Sequence, residues 1–298
     1  KTKSEAIWEK QLKKIVIESS SLDNLTNFYT AMYHTMLAPN LYQDVDGRYR
    51  GMDLKIHQTQ EFDYYTVFSL WDTYRATHPL YTIIEQDKTN DFINTFLAKY
   101  EEGGIMPIWD LSANYTDCMI GYHAVPVIAD AFLKGIRDYD TEKAFDAMKH
   151  SAFQDKLGLK AYKEVGFIPM EEESESVSKT LEYAYDDWTI AQMAKAMGKD
   201  ADYRLFSKRA QYYKNIFDPE TNFMRGRFRN TWFSPFDPYE VNFNYTEANA
   251  WQYSLYVPQD ISGLMNLMGG KKELENHLDT MFSAQIQTSD ATSLILLD

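Results

Sequence analysis

The sequence predicts an all-α fold, a ring of about ten paired helices that carries long irregular loops at one mouth. Three observations predict it. Apolar residues recur with helical period along most of the chain, one helix is apolar on two faces, and three long loops interrupt the pattern.

The stripes come in order. Trp8, Leu12, Ile15 and Ser19 lie at helical spacing, followed by Leu25, Phe28, Tyr29, Met32, Tyr33 and Met36. A helix is expected over 70–85. Phe92, Phe96 and Tyr100 form the next stripe, with Thr89 as candidate N-cap and Gly103-Gly104 as the stop. Further helices are expected over 122–134, from the candidate cap Thr141 through Phe145, Met148 and Ala152, and over 177–197. Phe206, Ala210, Tyr213 and Phe217 run up to Asp218-Pro219, where proline cannot continue a helix. Residues 260–268 and the stripe Leu274, Leu278, Met281 and Phe282 complete the set.

The helix over 177–197 fixes the layering. Leu181, Ala184, Tyr185, Trp188 and Ala191 form one stripe; Tyr183, Ile190, Met193, Ala194 and Met197 form another. A helix apolar on two sides is buried on two sides, as in the inner ring of a toroid. Asp186 and Asp187 read as its polar end. The hairpins show no fixed-period repeat and the chain shows no linker, so residues 1–298 read as a single domain, with 1–20 as a connector helix.

Composition excludes several functions. With 30 Lys+Arg against 44 Asp+Glu the formal net charge is −14, the wrong sign for a nucleic-acid groove. No window approaches the roughly 20 apolar residues that a membrane span needs. Lys1 to Lys14 contains no apolar core of a signal peptide, so none is expected in this chain. The single cysteine, Cys118, excludes an intrachain disulfide, and its spacing from His123 is a poor nucleophile signal. Phosphate loops, zinc spacings and histidine clusters are all missing from the sequence, which leaves carboxylates as the acid–base resource.

The 22 Tyr, 17 Phe and 6 Trp are many for this length, and an excess of Tyr and Trp beside surplus carboxylates suits a sugar-binding cleft. Several of these residues concentrate in loops over 39–69, 103–121 and 219–255, longer than ordinary helix connections. The first holds Asp44-Val45-Asp46-Gly47, where Asp46-Gly47 reads as a hairpin turn and the acidic pair is only a scrap of a calcium loop. Ser69-Leu70-Trp71-Asp72 follows. Ser69 or Asp72 caps a helix there, or Trp71 packs on the C–H face of a sugar while Asp72 takes its hydroxyls. Trp109-Asp110 in the second loop repeats the dipeptide. In the third, Glu247 stands between Tyr245, Trp251 and Tyr253, where it is either desolvated into a proton donor or solvated at a helix start, with Asn249 and Gln252 placed to hold hydroxyls.

Met36-Leu37-Ala38-Pro39, Asp46-Gly47-Arg48-Tyr49-Arg50-Gly51-Met52-Asp53, Ser69-Leu70-Trp71-Asp72-Thr73-Tyr74-Arg75, Met106-Pro107-Ile108-Trp109, residues 119–130 and Glu247-Ala248-Asn249-Ala250-Trp251-Gln252-Tyr253 together resemble glycoside hydrolase family 92. The resemblance implies an (α/α)6 toroid that follows an N-terminal β-sandwich, absent from this chain. It further implies a calcium-dependent, inverting, exo-acting α-mannosidase of α-1,2 type that releases mannose from glycans, exported by a bacterium to the periplasm, the cell surface or the medium. Glu247 then takes the general-acid position, with Trp71, Asp72, Trp109, Asn249, Trp251 and Gln252 as mannose contacts. Calcium is implied, with its ligands unknown.

The resemblance also exposes departures. Ala248 and Asp110 stand where the family usually has Gly and Glu. The family's G-N-D-D-x-G-Q segment, which supplies the base, is not in this sequence, and residues 288–298 depart from the family pattern. Ten helices would leave a ring of twelve open and an apolar flank exposed. The alternative reading is a truncated, non-hydrolytic mannose-binding remnant.

Overall fold

The structure is a computed structural model that describes residues 2–284. Those residues hold thirteen α-helices, one 3-10 helix and four two-stranded antiparallel sheets. By internal contacts the chain divides into two units: Lys1–Cys118 with Pro126–Ala147, and Met119–Val125 with Met148–Asp298.

The first unit opens with α1 (Thr2–Leu12) and α2 (Leu22–His34), joined by Trp8 against Tyr33 at 4.8 Å between ring centroids. The first stripe extends to Ser19, but α1 stops at Leu12, and no residue of α1 is buried. Ser21 caps α2, its side chain accepting from the Asn24 N–H.

Five short strands follow: β1 (Asn40–Leu41), β2 (Arg48–Arg50), β3 (Ile56–Gln58), β4 (Tyr65–Thr66) and β5 (Phe68–Ser69). β1 pairs with β4, and β2 with β3. The expected turn closes before β2, where the Gly47 N–H donates to Asp44 O and the Asp44 N–H to Arg48 O. Gly47 sits at φ +82°, and a Cβ there would lie 2.0 Å from Thr59 O. A second turn over 51–55 links β2 to β3.

The single helix expected over 70–85 is two, α3 (Leu70–Thr73) and α4 (Thr77–Ile84). α5 (Gln86–Gly103) then runs to the predicted glycine stop, with Gly104 left-handed at φ +82°. Its N-cap is Glu85. Thr89 lies inside the helix, buried, and its hydroxyl donates to Glu85 O. Phe92 and Phe96 turn inward onto Phe68, with centroids at 5.6 and 4.8 Å.

β6 (Trp109–Asp110) pairs with β5. α6 (Ala124–Leu133) and α7 (Thr141–Phe153) each contribute residues to both units. Asp140, rather than Thr141, caps α7, its carboxylate accepting from the Lys143 N–H.

The second unit continues with α8 (Leu159–Val165) and α9 (Ser176–Ala196). α9 is the predicted two-faced helix, and sixteen of its twenty-one residues are buried. α10 (Asp200–Arg209) is shorter than its stripe. The chain tightens into a 3-10 turn over Tyr212–Ile216 before β7 (Phe217–Asp218) pairs with β8 (Phe223–Met224). α11 (Ala250–Tyr253), α12 (Ile261–Leu267) and α13 (Lys271–Ser283) close the described chain. Ile7 on α1 and Phe282 on α13 are exposed apolar side chains, and α13 buries no residue. The departure at residues 288–298 lies outside the described residues.

Candidate active site

In the first unit, strand pairing gathers residues that are far apart in sequence. The β5–β6 register sets Phe68 opposite Asp110 and Ser69 opposite Trp109. Trp109 therefore stands opposite the residue two positions before Trp71, so the first two predicted loops meet. Both indoles are half-buried and Asp72 is exposed. Ser69 occupies the N-cap of α3 without bonding its backbone; the hydroxyl donates to the Asp72 carboxylate instead. Arg75 packs over the Trp71 ring at 5.5 Å and donates from Nε to Trp71 O at 3.2 Å. These contacts hold an indole edge and a carboxylate at the surface in a fixed relation.

The neighbouring Asp110 is unlike Asp72. It has no exposed surface and accepts from Lys99 Nζ at 2.7 Å and Thr66 Oγ1 at 2.9 Å. Lys99 is equally buried, lying 4.8 Å from the Tyr64 ring centroid. Burial pulls the ammonium below its ordinary range and Asp110 opposes the pull. The second Trp-Asp pair thus supplies Trp109 to the surface and Asp110 to the core. Beneath it, the Glu102 carboxylate accepts from Tyr49 OH, Met52 N–H and Tyr64 OH.

In the second unit, the Glu247 turn is fastened to the first turn of α9. Asn244 O accepts from the Val177 and Ser178 N–H groups, and the Thr246 N–H donates to Ser178 Oγ at 2.8 Å. Glu247 is in the left-handed region at φ +49°, between buried Thr246 and Ala248. Its side chain is exposed, so of the two readings of this Glu the solvated one holds. The aromatic residues around it in sequence have other partners. Tyr245 OH donates to Met224 O, Tyr253 OH to Glu182, and Trp251 packs on Phe223 and His277 at 4.7 and 4.8 Å.

Asn249 and Gln252 form a capping box on α11. Asn249 Oδ1 accepts from the Gln252 N–H at 3.3 Å, and Gln252 Oε1 accepts from the Asn249 N–H at 3.0 Å. Asn249 is buried and Gln252 is exposed. Their first task is to fix the helix start beside Glu247.

The fold is shared with known proteins. The sequence matches the glycosyl hydrolase family 92 catalytic domain over residues 1–295. The chain belongs to glycosyl hydrolase family 92.

Among solved structures, a GH92 α-mannosidase from Bacteroides thetaiotaomicron is 45% identical with a TM-score of 0.92, over 96% of this chain and 38% of its own. A structure of the same enzyme with mannoimidazole gives 43% and 0.93, over 97% and 39%. The GH92 inverting mannosidase from Bacteroides thetaiotaomicron VPI-5482 is 32% identical at a TM-score of 0.89, over 98% and 41%. An uncharacterized secreted glycosidase of Arthroderma benhamiae is 24% identical over 96% of this chain and 38% of its own length. The chain therefore spans about two fifths of the length of these relatives.

Calcium is implied by the GH92 resemblance, and among the described residues no group of three or more His, Cys, Asp and Glu side chains is arranged to hold a metal ion. Asp46 of the acidic scrap is engaged by Arg48, whose hydrogen bond holds its carboxyl below the ordinary range.

A buried charge network along α9 was missed in the sequence. His123 Nδ1 lies 2.8 Å from Asp186, and Nε2 lies 3.1 Å from Glu182. Asp187 accepts from Tyr122 OH at 2.8 Å, Tyr162 OH at 3.1 Å and Arg209 Nε at 2.7 Å. Burial raises the Asp187 carboxyl to about 6 despite Arg209. Burial also opposes the His123 cation, but Asp186 and Glu182 outweigh it and push the imidazole up to about 9. Asp186 and Asp187 are thus the buried middle of α9, which corrects their reading as a polar end. Glu182 and Asp186 one turn apart on a doubly apolar helix was the available signal. Cys118 is exposed and stands outside this network.

Proposed function

We propose that this chain is the acid-bearing part of a GH92 catalytic toroid, an inverting exo-α-mannosidase of α-1,2 type. Its likeness to a mannosidase solved with mannoimidazole, over nearly all of this chain, carries the reading. Glu247 protonates the leaving oxygen as the glycosidic bond breaks, while water attacks the anomeric carbon from the opposite face and delivers β-mannose. That water needs a second carboxylate as base, about 6.5–9.5 Å from the acid, and none is assigned here. In the first unit Trp71 and Trp109 offer apolar faces and Asp72 an acceptor suited to a sugar; in the second, Gln252 and Trp251 stand beside the acid in sequence. Calcium, as the family resemblance implies, would supply Lewis-acid binding of sugar hydroxyls. Export, as a periplasmic, cell-surface or secreted bacterial enzyme, accords with the secreted relative. No described helix is long and apolar enough to cross a membrane.

NMR of the chain with α-1,2-mannobiose tests this. The expected result is β-mannose as the first product, lost in Glu247→Gln and in EDTA. Release of α-mannose first overturns inversion, and release that persists in EDTA overturns the calcium requirement. Mannoimidazole binding without release supports a mannose-binding remnant, and absence of both removes the mannosidase reading.

A further inference from the structure

Next to the Glu247 turn, the second unit carries a cavity that the proposed chemistry leaves unused. It is bordered by the loop before α9 and by the residues that lead into the turn, including Glu171, Glu172, Phe233, Asn242 and Phe243. Phe243 is 89% exposed, although its backbone is fixed, its carbonyl accepting from the Glu175 N–H at 2.5 Å. A phenyl ring left in water contributes almost nothing to folding, because folding covers almost none of its surface.

The surrounding groups suit hydroxyls. Glu171 and Glu172 each give one oxygen to Arg229, through its N–H and its guanidinium, and keep the second oxygen unengaged. The Asn242 carboxamide is aligned by Glu240 and Asn244, the latter donating from its N–H at 3.0 Å and from Nδ2 at 3.2 Å. An apolar face beside carboxylate oxygens matches the two sides of a hexose, whose C–H face packs on rings while its hydroxyls donate to acceptors.

Position selects which hexose. Asn244 borders the cavity and precedes Glu247 by three residues, so the two Cα atoms are at most about 11 Å apart. A general acid touches the leaving oxygen, so the glycan on the leaving side must extend from beside Glu247. We propose that this cavity is a subsite for a sugar ring on the leaving side of the scissile bond, with Phe243 as its platform; the assignment rests on the mannosidase reading.

Calorimetry with two ligands separates the subsite from that reading. Mannoimidazole is a single ring, whereas a linear α-linked mannotriose reaches the leaving side. Phe243→Ala is expected to lower mannotriose affinity by about three- to tenfold while leaving mannoimidazole affinity unchanged. Phe243→Tyr, which keeps the ring, retains mannotriose affinity. The subsite is overturned if Phe243→Ala shifts both ligands equally or neither. If the unmutated chain binds neither ligand, the mannosidase reading fails, and the subsite fails with it.

Discussion

The first unit contains the same dipeptide twice, in opposite environments. Trp71-Asp72 begins a short helix, and Asp72 faces solvent with the Ser69 hydroxyl for company. Trp109-Asp110 lies on β6, paired to the strand just before that helix, and Asp110 is sealed in the core against Lys99. A helix turn can place adjacent residues on neighbouring outward positions, whereas a strand sends them to opposite faces. The backbone under each pair therefore sorts one carboxylate toward ligands and the other toward structure.

The largest effect that tests this contrast is at Asp110. Asp110→Ala leaves a buried ammonium without its partner and is expected to cost about 3–5 kcal/mol of unfolding free energy, measured by urea denaturation. Lys99→Met/Asp110→Leu removes both charges and is expected to cost much less than the single change. If Asp110→Ala unfolds at the unmutated midpoint, the core role of Asp110 is wrong.

Two buried histidines extend the contrast to pH. His78 sits among Phe68, Tyr81 and Phe92, and burial alone lowers its pKa to about 4. The unfolded chain then binds the extra proton between about pH 6.5 and 4, so His78 destabilises by up to about 3 kcal/mol as pH falls through that window. His78→Phe should flatten this acid limb in denaturation curves taken from pH 4 to 7. His123 behaves oppositely. Its folded pKa is raised to about 9, so its contribution is complete below about pH 6.5 and is lost as pH rises through 9. His123→Gln should remove the alkaline decline, and a decline that survives would assign it to other groups.

At the exposed pair, Asp72→Ala is expected to leave stability within about 0.5 kcal/mol. It should weaken mannoimidazole binding by about tenfold or more, measured by calorimetry, because a hydrogen bond to a charged acceptor is worth about 1.5–3 kcal/mol. The smallest effect lies at the β2 turn. Asp46 pairs with Arg48 at the surface, each side chain about half exposed, and Asp46→Ala should leave the calorimetric melting temperature nearly unchanged.

Much of the helical framework was legible in the sequence because its signal is local. The stripe through Phe92 and Phe96, the glycine stop at Gly103-Gly104 and the two-faced pattern of α9 all survive in the structure. Boundaries failed where a local rule met competition. Thr89 was passed over as a cap because Glu85 already opens the helix one turn earlier, and the stripe through Phe217 broke into a 3-10 turn. Site residues divided in the same way. The capping residues Asn249 and Gln252 were visible as polar groups near Glu247, but their bond to each other was not.

By itself, then, the sequence determined the helical class, the family and the short list of aromatic and acidic side chains, since periodicity and motif order are properties of neighbouring residues. Tertiary structure alone decided which carboxylates meet solvent. Asp110 is buried because β6 pairs with β5 and Lys99 reaches it from α5; Asp186 is buried because His123 arrives from sixty-three positions away. Glu247 is exposed because its turn is pinned to α9 at φ +49°. A carboxylate's environment is set by what packs against it, and those partners come from distant parts of the chain.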